Sequence, residues 1–111
     1  MTPNKAIEKV DTRRPNPYDE ETKLSWLSDL DGTVKRLIYE DKDIKAYSYP
    51  EDMDTELAIP FPFDNLYELY IESMIDYYNR EYANYNNSAT LFEGRFAEFK
   101  KLYIRENKVK G

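Results

Sequence analysis

The stretch with the most pointed chemical meaning is DLDGT, Asp29 to Thr33. Two aspartates at that spacing ahead of Gly-Thr match a phosphatase signature. There one carboxylate attacks phosphorus, the second serves the leaving group, and Mg²⁺ neutralises charge. Such chemistry needs the motif at the end of a buried parallel strand. The preceding TKLSWLS has helical apolar spacing instead, and 111 residues are too few for a doubly wound domain. The residues fit an amphipathic helix running through the motif, in which Gly32 costs about 1 kcal/mol. On that reading Asp29→Asn and Asp31→Asn leave function intact and change stability only slightly. Asp29, Asp31 and Glu40 also imitate an EF-hand, but the glycine falls at the fourth loop position rather than the sixth. The acidic runs EDKD and EDMDTE read as a solvated loop rather than a cation site. No catalytic residue, cofactor site or metal ligand is assigned.

Composition narrows the classes further. The chain has no histidine and no cysteine, which removes the commonest general base, the commonest zinc ligand and all thiol chemistry. Net charge is −6, so nonspecific binding to phosphate backbones is disfavoured. Hydrophobic residues make up 41% and aromatics 15%, which is too apolar for a disordered acidic tail. No apolar run approaches the ~18 residues of a membrane span, and the first residues lack an apolar signal region. The expectation is one folded domain over residues 1–111, neither membrane-spanning nor carrying a cleaved signal.

The elements that must position any functional side chain are helical. Thr2 and Pro3 open a short helix with Ala6, Ile7 and Val10 on its apolar side, and Pro15 and Pro17 end it. A second helix starts around Asp19-Glu20-Glu21 and carries Leu24, Trp26, Leu27, Leu30 or Asp31, Val34, Leu37 and Ile38. Residues 40–58 form a long acidic loop or a short β-arm. Pro60 and Pro62 keep IPFPF extended, and Asp64 is placed to cap the next helix. From there a stripe runs Tyr67, Ile71, Met74, Tyr78, Tyr82, Tyr85, Ala89, Phe92, Phe96, Phe99 and Tyr103 in steps of three and four. The stripe fits one very long helix or a hairpin, and a break near Asn84–Ser88 favours the hairpin. Residues 106–111 read as a disordered tail. The fold class is therefore all-α, a small helical bundle with a long C-terminal hairpin.

The tyrosines carry the functional signal. The stretch DYYNREYANYNN holds four tyrosines but only Arg80 as a cation, so a base-stacking platform lacks its basic groove. Core packing accounts for Tyr78, Tyr82 and Tyr85 beside Trp26, Leu27, Leu30, Val34, Ile71, Phe92 and Phe96. The surplus suits half-buried protein contacts, where tyrosine is enriched. The candidate contact residues are Tyr47, Tyr49, Asp52, Asp54, Tyr67, Tyr70 and Tyr77.

Two blocks carry a family likeness. TPNKAIEKVDTRRPNPYDEETKLSWLSDLDG resembles the N-terminal half of the small head–tail connector proteins, also called adaptor or head-completion proteins, of tailed phages and prophages. IPFPFDNLYELYIESMIDYYNREYANYNNSATLF is similar to their second half, with Ile-Asp-Tyr-Tyr-Asn and then Tyr85-Asn86-Asn87 at comparable places. The likeness spans most of residues 2–105 and is least over 40–56. It rests on packing and turn motifs. It implies a helical, non-enzymatic subunit without cofactor that assembles into a ring of its own copies below the portal protein. Such a ring extends the DNA channel and receives the next neck component, without sequence-specific nucleic acid binding. It would reside in the virion neck after assembly in the bacterial host cytoplasm. The alternative is a small helical interaction module, such as a tail-assembly chaperone or a regulatory factor.

Overall fold

The computed structural model describes residues 1–108. Four α-helices form the bundle: α1 Pro3–Arg13, α2 Glu20–Thr33, α3 Leu66–Tyr78 and α4 Tyr82–Lys108. Among the described residues there is no strand, so residues 40–58 are a loop rather than a β-arm. Among the described residues no helix is long and apolar enough to cross a membrane.

The two N-terminal helices start on side-chain caps. Thr2 Oγ1 accepts the Lys5 N–H at 3.2 Å, with Pro3 at the first helical position. Asp19 Oδ1 accepts the Thr22 N–H at 2.8 Å, with Glu20 and Glu21 in the first turn. Asn16 shapes the intervening turn by donating to Asp11 and accepting from the Tyr18 N–H. At its C-terminus α2 widens into a π-helical turn, Val34–Ile38, and the chain leaves at Glu40 with φ of 60°. That widening turns Leu37 out to 73% exposure, whereas Val34 stays buried.

α3 occupies the middle of the bundle and packs against all three other helices. Ala6, Ile7 and Val10 of α1, Leu24, Leu27 and Leu30 of α2, and Leu66, Tyr67, Ile71 and Ile75 of α3 make the core. The long loop adds Met53, Leu57 and Ile59, all buried. Its alternation of acids and apolar residues conceals these three anchors, so the segment is far less free than its charge suggests.

Several sequence expectations are corrected. The hairpin turns at Asn79–Glu81, not at Asn84–Ser88. There the Arg80 N–H bonds the Tyr77 carbonyl at 3.1 Å and the Glu81 N–H bonds the Asp76 carbonyl at 3.0 Å, with Arg80 at φ 60°. This is a Schellman closure, usually built on glycine. Asn84 to Ser88 continue inside α4 because their side chains find partners there. Ser88 Oγ donates to Asp76 Oδ2 at 2.7 Å and Asn84 Nδ2 donates to Glu81 Oε2 at 3.0 Å. Asp64 does not cap α3, which is entered through a 3₁₀ turn, Phe63–Asn65, without a side-chain cap. The assigned tail overlaps α4, since residues 106–108 are helical and Asn107 Nδ2 donates to the Tyr103 carbonyl at 2.9 Å. Residues 109–111 of that tail lie outside the described residues.

The Schellman turn makes one test. Arg80→Gly relieves a left-handed backbone position and is expected to stabilise the domain by about 0.5–1 kcal/mol, against the chain-entropy cost of glycine. Thermal melts at fixed pH read this, and a loss of stability would mean that the Arg80 side chain outweighs its backbone.

Candidate interaction surface at the helical elbow

The turn between α3 and α4 carries an aromatic cluster with a buried foundation. Trp26 of α2 is 4% exposed, and the Tyr78 ring lies parallel on it, centroids 5.6 Å apart at 5°. Tyr18 leans on Trp26 at 5.5 Å, and its hydroxyl donates to Asn79 Oδ1 at 2.7 Å. Tyr77 meets Tyr78 edge-on at 5.2 Å and Tyr85 at 5.4 Å. The outer rings stay in solvent, with Tyr77 48%, Tyr78 51% and Tyr82 60% exposed.

An ionic clamp holds this elbow in place. Arg14, just past α1, pairs with Asp76 of α3 and reaches Glu81 at 3.5 Å. Asp76 is buried and also accepts from Ser88 of α4, so one carboxylate joins three helical segments. Burial pushes its carboxyl up, but the hydrogen bonds from Arg14 and Ser88 outweigh burial and hold it below the usual carboxylate range. Arg13 adds bonds to Glu68 at 3.0 Å and Glu72 at 2.9 Å.

Spacing assigns Tyr78 and Tyr82 to the core, and the structure contradicts this. The stripe loses its partner where α3 ends, because the Schellman turn redirects the chain within three residues. Tyr85 is half-buried against Tyr77. Trp26, Leu27, Leu30, Val34 and Ile71 are buried, and Phe92 and Phe96 are partly buried against the core and stacked at 5.5 Å.

The candidate contact residues fall into separate places. Tyr77 belongs to the elbow. Tyr67 is removed from the set, since it is fully buried and its hydroxyl bonds Asp31. Tyr70 lies in the α3–α4 seam against Phe92 at 5.2 Å. Tyr47 is half-buried, while Tyr49 is 40% exposed at the loop tip and donates to Glu20 at 3.2 Å. Asp52 accepts the Ser48 N–H at 2.7 Å within the loop, and Asp54 accepts from Asn4 of α1 at 2.7 Å, so both have partners inside the chain.

The two aspartates of DLDGT diverge, as residues two apart on a helix must. Asp29 is exposed beside an open groove of about 570 Å³ that Gly32, Arg36 and Ile44 also line. Asp31 is 1% exposed and works as an anchor for the loop. Its carboxylate accepts from the Tyr47 hydroxyl at 2.5 Å, from the Tyr67 hydroxyl, and from the Ala58 N–H at 3.0 Å. Tyr67 in turn accepts the Ile59 N–H at 2.6 Å. Among the described residues no group of three or more acidic side chains is placed to hold a metal ion.

Burial first, and then the Asp31 carboxylate, push the Tyr67 and Tyr47 phenols well above the usual tyrosine range. Raised phenols hold their protons in the fold after the unfolded chain has released them. Their contribution is therefore complete below pH about 10 and is lost as pH climbs above it. Asp76 acts oppositely: its contribution is present in full above pH about 4, where the unfolded carboxyl titrates, and is lost as pH falls below it, toward the lowered folded-state value. Denaturant melts across pH should show both flanks, and the alkaline loss should shrink in a Tyr47→Phe, Tyr67→Phe double variant. An unchanged alkaline flank would contradict the assignment.

No protein-family profile, curated protein or solved structure matches this chain at a significant level.

Proposed function

We propose that the chain is a structural subunit of a tailed-phage neck, a head–tail connector. It assembles with copies of itself into a ring beneath the portal protein, extends the DNA channel and receives the next neck component. The observation that carries the reading is the elbow, where Tyr77, Tyr78 and Tyr82 are held in solvent on a buried Trp26. Aromatic side chains with one apolar face and one polar tip are the usual anchors of protein contacts. Fixing them on a clamped turn cuts the ordering cost of docking. The resemblance to connector proteins read from the sequence over most of residues 2–105, least over 40–56, supplies the context, and on this reading the chain acts by contact rather than by catalysis.

The net charge of −6 suits this role. Like-charge repulsion lets DNA pass a channel wall without adhering, and no sequence is read. The place of action is the virion neck, reached after assembly in the host cytoplasm.

The test is composition of particles. Purified virions from the producing strain should contain the chain, and particles made without it should be DNA-filled heads lacking tails. A chain needed for assembly but absent from finished particles would instead identify a tail-assembly chaperone or regulatory factor. Wild-type particles produced without the chain would refute both.

A further inference from the structure

A second surface lies at the other end of α4. Beyond the C-terminus of α2, the π-helical turn and α4 flank an open groove of about 360 Å³ lined by Leu37, Ile38, Tyr103 and Ile104, with Lys100, Glu40 and Asn107 as its polar members. Leu37 is 73% and Ile104 48% exposed, so the apolar lining faces solvent. Lys100 and Lys101 both border a neighbouring groove of about 310 Å³ along α4, lined also by Phe96, Ala97 and Ile104 and by one acid, Glu93. Arg36 lies one residue from Leu37, and Arg105 is next to Ile104. All four cations are exposed, and among the described residues none forms an ion pair.

The complementary surface is on the same chain but out of its own reach. Residues 40–58 hold seven acidic residues against two lysines. The tip of this loop presents Tyr49, Pro50 and Glu51, with Asp52 and Asp54 behind them. Glu51 is exposed and forms no ion pair among the described residues. The tip is tied to the N-terminal ends of α1 and α2 through Asp54–Asn4 and Tyr49–Glu20. α2 has 14 residues and is about 21 Å long at 1.5 Å per residue, and the groove opens past its far end. One chain cannot seat its own tip in its own groove.

We propose that the groove receives the Tyr49–Glu51 loop tip of a second copy of this chain. The aromatic ring and proline fill the apolar lining, and the acidic side chains of the tip face Lys100 on its rim and Lys101 along the adjoining groove. The contact joins unlike surfaces, so it repeats head to tail and closes into a ring when the rotation permits. This assignment rests on the connector reading and names the subunit contact within it. The elbow stays free for the neighbouring neck proteins.

Charge reversal on each side tests the contact. Mass measurement in solution should show concentration-dependent oligomers of the wild-type chain that weaken as salt rises. Lys100→Glu with Lys101→Glu, and separately Glu51→Lys with Asp52→Lys, should each weaken assembly at least about tenfold. The two variants mixed should assemble again, since each supplies the surface that the other's partner needs. Lys100→Gln with Lys101→Gln, which removes the charge without reversing it, guards against a variant that fails to fold, and every variant is checked by its thermal melt. Reversed variants that assemble like wild type, or a mixture that stays monomeric, overturn the proposal. A wild-type chain that remains monomeric at every soluble concentration overturns it too. The same chain recovered from virions would still leave the neck assignment standing.

Discussion

Replacing Asp31 by alanine is expected to cost the folded domain about 3–5 kcal/mol. The Tyr47 hydroxyl, the Tyr67 hydroxyl and the Ala58 N–H lose their shared acceptor together. Tyr67 is fully buried, so its hydroxyl has no water to turn to. The loop suffers as well, because Asp31 ties residue 58 to α2 and shares the hold on residue 47 with Ser28 Oγ, which accepts the Tyr47 N–H at 2.9 Å. Asp31→Asn keeps the volume but turns an amide N–H₂ toward one of its donors, and about 1–3 kcal/mol is expected. That outcome replaces the small change that an exposed DLDGT helix implies. Asp29→Asn, on the solvent side of the same helix, should stay within about 0.5 kcal/mol. Urea melts of the three variants decide it, and equal effects at positions 29 and 31 would contradict the hub.

Trp26→Ala is expected to cost a similar amount, about 3–5 kcal/mol, as for other buried aromatic truncations. Trp26 is the one tryptophan of the chain, and it supports both the core and the elbow. Its loss should free Tyr78 and Tyr18, so partner binding falls along with stability. Tyr77→Ala and Tyr82→Ala should each cost the isolated chain under about 1 kcal/mol, because both rings stand largely in solvent. On the proposed function, their effect is expected in assembly instead. For Tyr82 this reverses the large stability loss that the helical stripe suggests. A Tyr82→Ala variant as unstable as Trp26→Ala would restore the core assignment.

The residues that announce themselves in the sequence do so through local rules. Thr2-Pro3 and Asp19 cap helices by chemistry that a few residues contain, and the apolar spacing of Leu24, Leu27 and Leu30 marks a buried face without outside help. The features that stay hidden need a partner distant in sequence. Asn84 to Ser88 are poor helix interior alone, but Ser88 meets Asp76 across the turn. Arg80 gives no sign of a left-handed turn, which glycine would have given. Met53, Leu57 and Ile59 are spaced among acids and reveal no face until Asp31 draws the loop onto α2. For the candidate site, the excess of tyrosine is legible, but its distribution is not. Period alone places Tyr78 and Tyr82 with Ile71, and only the position of the turn decides which rings are covered. Tyr67 shows the reverse error, since a hydroxyl suited to an interface serves equally well on a buried carboxylate.

On the proposed function, the elbow is the surface that docks onto a neighbouring neck protein. Native mass measurement of the chain mixed with purified portal rings tests it most directly. A defined portal complex is expected with the wild-type chain, lost in a Tyr77→Ala, Tyr82→Ala double variant that melts like wild type. Absence of any complex with wild type, or a complex that the double variant forms equally well, would contradict it.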